Sequence, residues 1–278
     1  MKFGVNTFVT DESIRPDVLG RALEERGFES LLITEHSHIP VKRETPWSGG
    51  GELPREYYRT YDPFVALAVA STTTTALTLG TAVALLAQRD VFYTAKEVAS
   101  LDVLCGGRVL FGVGAGWNRE EMRNHDIDPS RRGPLLNEKL AALKAIWTDD
   151  KAEFHGDHID FDPVFSWPKP VQRPHPPIGV GGESPAALTR LVRYGNVWMP
   201  RVRTPVAELR RVAAWLADQG RADVRTTLCG AAPDAAKVTS YTEAGVDRVT
   251  FDLPPTPEAE TLRYLDELAT SVDSFGLV

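Results

Sequence analysis

The order of the elements predicted from this sequence constrains the fold more than any other feature. Eight apolar segments typical of buried strands alternate with eight amphipathic segments typical of helices, from end to end. Parallel sheets bury both faces, so their strands are continuous apolar runs, and helical crossovers must join them. Eight strand–helix pairs in 278 residues predict an α/β fold, a (β/α)8 TIM barrel with insertions, since such a barrel typically takes about 250 residues. We therefore expect a single domain over residues 1–278.

Two connections in this pattern are longer than the usual two to six residues. Residues 36–61 follow a predicted strand, so they should lie at the C-terminal mouth of the barrel, where glycines and aromatic residues predict an active-site lid. Residues 148–176 follow a predicted helix, which should place their hairpin and Pro-rich stretch at the opposite end, in a structural role. The predicted strands cover 2–6, 29–34, 76–84, 108–113, 177–181, 195–199, 224–230 and 246–252. The predicted helices cover 13–27, 62–73, 90–104, 131–147, 184–194, 204–219, 234–244 and 257–271.

Composition and charge exclude several classes of function. The net charge is -7 and the basic residues are scattered, which argues against nucleic-acid or membrane-surface binding. The first residues lead into polar Thr10–Glu12 without the apolar core of a secretory signal, and no apolar run is long enough to span a bilayer, so we expect a cytoplasmic protein. Cys105 and Cys229 form no CxxC motif and are interpreted as buried thiols in a reducing compartment.

Four chemically distinctive segments stand at or near the exits of predicted strands. In a parallel barrel these exits meet at one end, where ligands bind. The sequence therefore predicts one shared site. The segments are Thr34-Glu35-His36, Leu79–Val83, Gly112–Trp117 and Gly179–Ser184.

The two glycine-rich segments indicate different kinds of contact. Gly112-Val113-Gly114-Ala115-Gly116 follows the fourth strand as GxGxG, which is not the dinucleotide-binding fingerprint GxGxxG of a first strand. Its bare backbone could pack against a neighbouring loop or let a flat ring system approach. Gly181-Gly182-Glu183-Ser184-Pro185 precedes a helix, with a capping Ser and a Pro suited to the first turn. This segment is the better phosphate-binding candidate.

The histidines after the second strand allow three interpretations. His36 and His38 form an HxH pair that could bind a metal, and Asp252 at the eighth strand exit could join them, but the fifth and sixth exits offer no ligand. His36 could also be a hydrogen-bonded structural residue. Because Glu35 stands beside it, an acid and a near-neutral base at one exit could polarise a bound heterocycle.

Gly80 interrupts the third strand and marks a bulge or a close backbone approach.

Aromatic residues near these exits indicate what kind of substrate the site accepts. The aromatic candidates for the substrate pocket are Trp47, Tyr57, Tyr58 and Trp198. They predict an apolar, aromatic-lined pocket for a small molecule.

Taken in order, these segments resemble the bacterial luciferase-like superfamily of flavin and deazaflavin oxidoreductases, from Met1 to about residue 270. The most specific agreement lies in Leu79–Val83, Ala95–Asp102, Gly107–Trp117 and Gly179–Leu188. Within the superfamily, Gly114–Glu121 and Glu243–Phe251 are most similar to the branch that uses coenzyme F-420, which is common in actinobacteria.

The resemblance implies a role for each segment. Glu35 and His36 match the acid–His pair that contacts the deazaflavin ring, although many relatives have Asp at the first position. A non-prolyl cis peptide would fall between Ala82 and Val83, behind the ring. The remaining implied cofactor contacts are Gly114, Ala115, Gly116 and Trp117 along the ring, and Gly181, Gly182 and Glu183 at the phosphate-bearing tail.

The activity that the resemblance implies is hydride transfer between coenzyme F-420 and a small organic substrate, by a homodimeric enzyme. Three alternatives stay open at this point. One is an FMN-dependent luciferase-like monooxygenase, and the second is a non-catalytic flavin binder of the same fold. The third is a metal-dependent barrel hydrolase that would use His36, His38 and Asp252.

Overall fold

The computed structural model describes residues 1–275, in which ten strands and nine α-helices are present. The strands are β1 (Lys2–Thr7), β2 (Ser30–Ile33), β3 (Thr78–Thr81), β4 (Val109–Val113), β5 (Ala152–His155), β6 (Asp160–Val164), β7 (Ile178–Gly181), β8 (Val197–Met199), β9 (Arg225–Ala231) and β10 (Arg248–Leu253). The helices are α1 (Pro16–Glu25), α2 (Pro63–Ser71), α3 (Val91–Leu104), α4 (Arg119–Asn124), α5 (Arg132–Thr148), α6 (Pro185–Tyr194), α7 (Val206–Asp218), α8 (Ala235–Glu243) and α9 (Glu258–Asp273).

Eight of these strands close a parallel barrel. Their order around it is β1-β10-β9-β8-β7-β4-β3-β2, so strands adjacent in chain order are adjacent in space, with helices on the outside. The last strand closes on the first in continuous register, from Lys2 opposite Arg248 to Thr7 opposite Leu253. This confirms the predicted (β/α)8 barrel. Since every barrel pair is parallel, the C-terminal ends of all eight strands open at one end, the mouth.

Polar caps determine where several helices begin. The side chains of Asp62, Asp90 and Ser184 each accept backbone N–H hydrogen bonds from the first turn of α2, α3 and α6. Pro63 and Pro185 occupy the first turns of α2 and α6, where the missing N–H costs nothing. The predicted starts of these three helices therefore lie within one or two residues of the observed ones.

The barrel interior is filled with side chains below the mouth. Leu32, Leu110, Val197 and Met199 form a small buried cluster of their own. A larger core lies between the barrel and the helices, where Phe111 on β4 packs edge-on against a tryptophan of α5. Because the interior is solid, a ligand reaching the strand exits must enter from the mouth.

The second long connection contains an antiparallel hairpin, but its position differs from the expectation. Strands β5 and β6 pair with each other, and the carboxylate of Glu138 on α5 accepts the N–H groups of residues 157–159 at the turn. Phe161 of β6 packs against Phe92 at the start of α3, with ring centroids 4.9 Å apart. The hairpin therefore runs along the outer surface of α3 and α5 instead of closing the far end of the barrel.

The first long connection covers part of the mouth. It contains a 3₁₀ helix, Arg55–Tyr58, and is otherwise irregular. Its Trp47 side chain folds back on Gly49, where a Cβ atom would lie 2.3 Å from the indole ring. Among the helices of residues 1–275, none is both long and apolar enough to cross a membrane.

Candidate active site

A cavity of about 600 Å³ opens at the mouth, within the range typical of small-molecule sites. It is lined by residues from the exits of all eight barrel strands and by the lid. Thirteen of the residues predicted for the site line it: Glu35, His36, Trp47, Tyr57, Ala82, Val83, Gly114, Ala115, Gly116, Trp117, Gly181, Gly182 and Glu183. The structure thus brings the four distinctive segments together.

His36 is buried and held by hydrogen bonds at both ring nitrogens. Its Nδ1 lies 2.9 Å from Oε2 of Glu121, and its Nε2 lies 3.3 Å from the indole Nε1 of Trp117. An indole N–H can only donate, so Nε2 must be the acceptor and the proton of a neutral ring sits on Nδ1. The arrangement fixes one tautomer, with the Nε2 lone pair directed to the Trp117 side of the cavity.

Glu121, which holds His36, was not predicted from the sequence. Glu121 is fully buried on the short helix α4, and its second oxygen accepts the backbone N–H of Ser37 at 3.3 Å. The Asn118 side chain caps α4 by accepting the N–H groups of Glu120 and Glu121. An Asn followed three residues later by Glu is the usual signature of a helix start, so the sequence did contain a signal for this helix.

The structure turns Glu35 toward a cation. Glu35 is 5% exposed, forms an ion pair with Arg89, and accepts the N–H of Leu85 at 2.6 Å. Burial raises the pKa of the Glu35 carboxyl, and the Arg89 charge opposes that rise. Arg89 was not predicted; it also bonds Asp62 and Glu97, which ties the β3–α3 loop to two helices. Both Glu35 oxygens are thus used to hold that loop.

The exit of β3 forms one wall of the cavity. The peptide bond between Ala82 and Val83 is cis, as the resemblance implies. Regular pairing with β4 resumes only through an isolated bridge from Ala84 to Val113. A Cβ atom at Gly80 would lie 2.4 Å from a β4 carbonyl oxygen, so this glycine marks a close backbone approach.

The glycines of the β4 and β7 exits have a packing reason. A Cβ atom on Gly114 would lie 2.5 Å from the Val83 side chain, and one on Gly181 would lie 3.1 Å from it. A Cβ atom on Gly116 would lie 2.7 Å from Met122. Packing against a neighbouring loop, one of the two interpretations that the sequence left open, is therefore present at these positions. The same packing leaves a wall without bulky side chains.

The N-terminus of α6 opens onto the cavity beside two basic side chains. Gly182 has a φ of +105°, a conformation that favours glycine, and Ser184 caps the helix. Arg190 and Arg201 also line the cavity, and Arg201 forms an ion pair with Glu183 at 2.5 Å. Although burial opposes it, the Arg201 guanidinium holds the pKa of Glu183 below its usual range. Helix N–H groups and arginines at one end of a cavity suit an anionic group.

Lid aromatics cover the His36 side of the cavity. The indole N–H of Trp47 donates to the Tyr57 hydroxyl at 3.0 Å. The Tyr57 ring lies 5.3 Å from the His36 ring and 4.6 Å from that of Phe8. Burial raises the pKa of the Tyr57 phenol, so it remains a neutral hydroxyl in the physiological range.

Two of the predicted pocket residues, Tyr58 and Trp198, lie outside the cavity. Tyr58 belongs to the 3₁₀ helix of the lid but is 55% exposed on its outer side. Trp198 is 1% exposed in the core between barrel and helices, because successive strand residues alternate in direction and its neighbours Val197 and Met199 face the interior. The Trp198 indole N–H donates to the Gly182 carbonyl at 3.0 Å, so it supports the α6 loop from behind.

The wall formed by β1, β9 and β10 contains three polar residues, Asn6, Cys229 and Asp252. Burial raises the pKa of the Asp252 carboxyl, and a hydrogen bond from Asn6 partly offsets this. Cys229 was expected in the core, but it is half-buried on this wall. Burial raises the pKa of its thiol to about 12.

The residues considered as metal ligands have other partners. His36 bonds Glu121, and the imidazole of His38 bonds Ser37 and Asn124. His38 does not line the cavity that contains His36 and Asp252. Within residues 1–275, no three His, Cys, Asp or Glu side chains are placed to hold one ion.

Comparison with known proteins identifies a family and several relatives. The sequence model of the luciferase-like monooxygenase family matches residues 17–276. An uncharacterised protein of Mycobacterium tuberculosis is 36% identical over 281 residues, which is 98% of this chain and 99% of that protein. The F-420-dependent hydroxymycolic acid dehydrogenase of M. tuberculosis is 26% identical over 88% of this chain and 69% of its own. The FMNH(2)-dependent dimethylsulfone monooxygenase of Pseudomonas putida is 43% identical over 43% of this chain and 36% of its own.

Solved structures share the fold at low sequence identity. A monooxygenase from Streptomyces bottropensis superimposes with a TM-score of 0.80 at 19% identity, covering 99% of both chains. An F-420-dependent secondary alcohol dehydrogenase superimposes with a TM-score of 0.75 at 16% identity, covering 98% of this chain and 99% of its own. At these identities the likeness extends to the fold alone.

Proposed function

The chain belongs to the luciferase-like monooxygenase family of enzymes, and on that premise we propose that it transfers a hydride between coenzyme F-420 and a small organic substrate. The observation that carries the proposal is His36, which lines a ligand-sized cavity in a defined tautomer, next to a wall of small residues at the exits of β3 and β4. When bound, coenzyme F-420 supplies two-electron chemistry at its central ring.

The cavity has the features that such a cofactor requires. The flat ring would lie against Ala82, Val83 and Gly114, where the backbone is open to close approach. The phosphate would lie at the N-terminus of α6, beside Arg190 and Arg201. In this assignment Glu35 is a positioning residue, because both of its oxygens are engaged by Arg89 and Leu85.

His36 handles the proton that accompanies the hydride. For an alcohol substrate, the hydroxyl proton passes to Nε2 of His36 as the hydride leaves the carbon, and the product is a carbonyl. In the reverse direction Nε2 returns that proton to the oxygen. The Glu121 carboxylate accepts the Nδ1–H bond and stabilises the imidazolium formed in between. The Trp117 indole, which bonds Nε2 at 3.3 Å, must give way to the substrate.

A second candidate is an FMN-dependent monooxygenase. It is favoured by the FMNH(2)-dependent relative, which is 43% identical over 129 residues. The F-420-dependent dehydrogenase relative covers twice as much of this chain, 88% against 43%. We therefore rank hydride transfer with coenzyme F-420 first.

Separate titrations with coenzyme F-420, FMN and NADPH test this proposal. Fluorescence quenching of each cofactor gives the dissociation constants, and we expect F-420 to bind at least about tenfold tighter than FMN. Tighter binding of FMN would transfer the assignment to the monooxygenase candidate. No binding of either cofactor would contradict the proposed function altogether.

Matched variants locate the binding within the cavity. Ala82→Phe places a ring where the cofactor would lie, so it should lose F-420 binding while folding normally. Ala217→Phe, on the exposed surface of α7, adds the same volume away from the mouth and should bind as the wild type does. Normal F-420 affinity in Ala82→Phe would contradict the placement of the cofactor ring on this wall.

We also propose that the enzyme is a homodimer. Val65 on α2 is 64% exposed, and Tyr93 and Leu104 on the adjacent α3 are 74% and 73% exposed. Apolar side chains of this size on one surface are typical of an interface.

A further inference from the structure

The polar side chains on the cavity wall opposite the exit of β3 have no role in the proposed binding of the cofactor. In the closed barrel β9 lies four strands from β3, and β10 lies three strands from it. If the ring lies against Ala82 and the phosphate lies at α6, the substrate must occupy the wall of β1, β9 and β10. The side chains of that wall therefore determine which chemical groups the substrate must carry.

Asp252 of β10 is an acid on this wall without a basic partner. Its Oδ1 accepts from Asn6 Nδ2, and among residues 1–275 its Oδ2 has no hydrogen-bond partner. The orientation of Asn6 is fixed, since its own oxygen accepts from Gly230 N at 3.0 Å and Thr250 Oγ1 at 2.8 Å. The network therefore directs an amide N–H at Oδ1 of Asp252 and leaves the other carboxylate oxygen of this cavity-lining residue without a hydrogen bond.

The charges of the other cavity residues are already balanced or lie elsewhere. Glu35 is paired with Arg89, and Glu183 is paired with Arg201. Arg190 bonds Asn137 and the Gly133 carbonyl at the α6 end of the cavity. In the part of the chain that the structure describes, Asp252 is thus the one cavity carboxylate without a cationic side chain.

Aromatic rings line the same cavity as this carboxylate, and one of them, Phe8, directly follows the strand that pairs with β10. The rings of Phe8 and Tyr57 pack at a tilt of 45° with centroids 4.6 Å apart, and the indole of Trp47 lies edge-on to Tyr57 at 6.0 Å. Burial raises the pKa of the Tyr57 phenol, and the Asp252 charge on the same cavity adds to that rise. A carboxylate flanked by aromatic faces is the combination that proteins use to bind ammonium groups, through an ion pair and cation–π contacts.

We propose that Asp252, with Phe8 and Tyr57, forms a subsite for a protonated amine, so that the substrate of this enzyme is a cationic amine. This inference rests on the proposed function, because the position of the cofactor assigns the opposite wall to the substrate. Asp252 acts as a specificity-determining residue and takes no part in the hydride or proton transfer.

Three probes with the same cyclohexyl ring and different charge test this subsite: cyclohexylamine, cyclohexanol and cyclohexanecarboxylate. Calorimetric titration into the F-420-loaded protein at neutral pH should show the amine binding at least about tenfold tighter than the alcohol. The carboxylate should bind more weakly than the alcohol. Equal affinities for amine and alcohol in the wild type would overturn the proposal without any variant.

Two variants that each remove one negative charge test whether the amine preference depends on Asp252. Asp252→Asn keeps the acceptor for Asn6 and removes the charge, so the ratio of alcohol to amine dissociation constants should fall to about one with little change for the alcohol. Asp218→Asn, at the exposed end of α7, removes one charge far from the mouth and should keep the wild-type ratio. A wild-type ratio in Asp252→Asn would overturn the proposal.

The same titrations separate this inference from the proposed function. They are repeated without cofactor, since the subsite is built from the protein alone. An amine preference with no F-420 binding would contradict the proposed function and leave the subsite standing. Loss of F-420 affinity in Asp252→Asn would instead make Asp252 part of the cofactor site and overturn the inference.

Discussion

At the scale of single residues, the sequence identified which side chains gather at the mouth better than it identified their partners. Glu35 and His36 were recognisable because they follow directly after a buried strand. The residues that decide their chemistry, Arg89 and Glu121, lie 54 and 85 positions away in the chain. No local pattern encodes such a contact. In the structure, Glu35 holds a loop through Arg89, whereas Glu121 orients His36.

The role of Glu121 leads to a prediction for hydride transfer. In Glu121→Gln the side chain can still accept from Nδ1 of His36, but it carries no charge to stabilise the imidazolium, so kcat should fall about 10- to 100-fold with unchanged F-420 affinity. His36→Ala should lose still more. A substrate found by screening amino alcohols provides the assay.

A spectroscopic readout separates orientation of His36 from a general structural role. Nitrogen NMR of labelled histidine should report the Nδ1–H tautomer in the wild type. In Glu121→Gln it should report a mixture, because a Gln amide can also donate to Nδ1 and then competes with the long 3.3 Å bond from the Trp117 indole. Glu120→Gln is the matched control, because Glu120 is the neighbouring acid on α4 and does not contact His36. Wild-type turnover and tautomer in Glu121→Gln would make Glu121 a buried residue without a role in the reaction.

At the scale of elements, periodicity predicted the long helices and all eight barrel strands, whereas short elements escaped it. Helix α4 has six residues, too few for a hydrophobic period to be visible. Strand β8 was found, but one of its three residues, Trp198, was predicted to face the substrate pocket. Because side chains alternate along a strand, an error of one residue exchanges core and cavity, which is why Trp198 was expected at the wrong surface.

A contact between α1 and the segment before β3 predicts a pH-dependent stability. The Glu24 carboxylate on α1 accepts the N–H groups of Thr75, Ala76 and Leu77, at 2.9 to 3.1 Å. Although burial opposes it, the Thr75 hydroxyl, which donates to Glu24 at 2.6 Å, and these N–H groups lower the pKa of Glu24 from 4.5 to about 2. A folded-state pKa below the unfolded one means that the stabilisation is complete above pH 4.5 and is lost as the pH falls toward 2.

Urea unfolding of Glu24→Gln measures this contribution. Near neutral pH the variant should be less stable by about 1 kcal/mol, a modest figure because the site is half-exposed and solvent screens it. The difference should shrink once the pH falls below 4.5. Glu25→Gln, at the exposed neighbouring position, should show no such loss. A constant difference between wild type and Glu24→Gln across the acid range would show that the carboxylate charge is not responsible.

At the scale of the whole molecule, the alternation of strands and helices was sufficient to predict the barrel, and the barrel then predicts where a site can be. What could not be predicted is that the cavity has a positively charged end and a negatively charged wall. Arg190 and the start of α6 stand at one end, and Asp252 stands at a distant strand. This polarity arises from strand exits that are remote in sequence, so it becomes visible only when the barrel closes.

The exposed apolar side chains of α2 and α3 lead to a prediction about the oligomeric state. We expect light scattering to give twice the chain mass of 30.6 kDa. Leu104→Glu should convert the protein to a monomer, because pairing would bury an unpaired charge in place of a side chain that is 73% exposed in the single chain. Phe165→Glu, at an apolar position on the hairpin that is 72% exposed, is the matched control and should remain dimeric. A monomeric wild type, or a Leu104→Glu variant that stays dimeric, would contradict an interface on these helices.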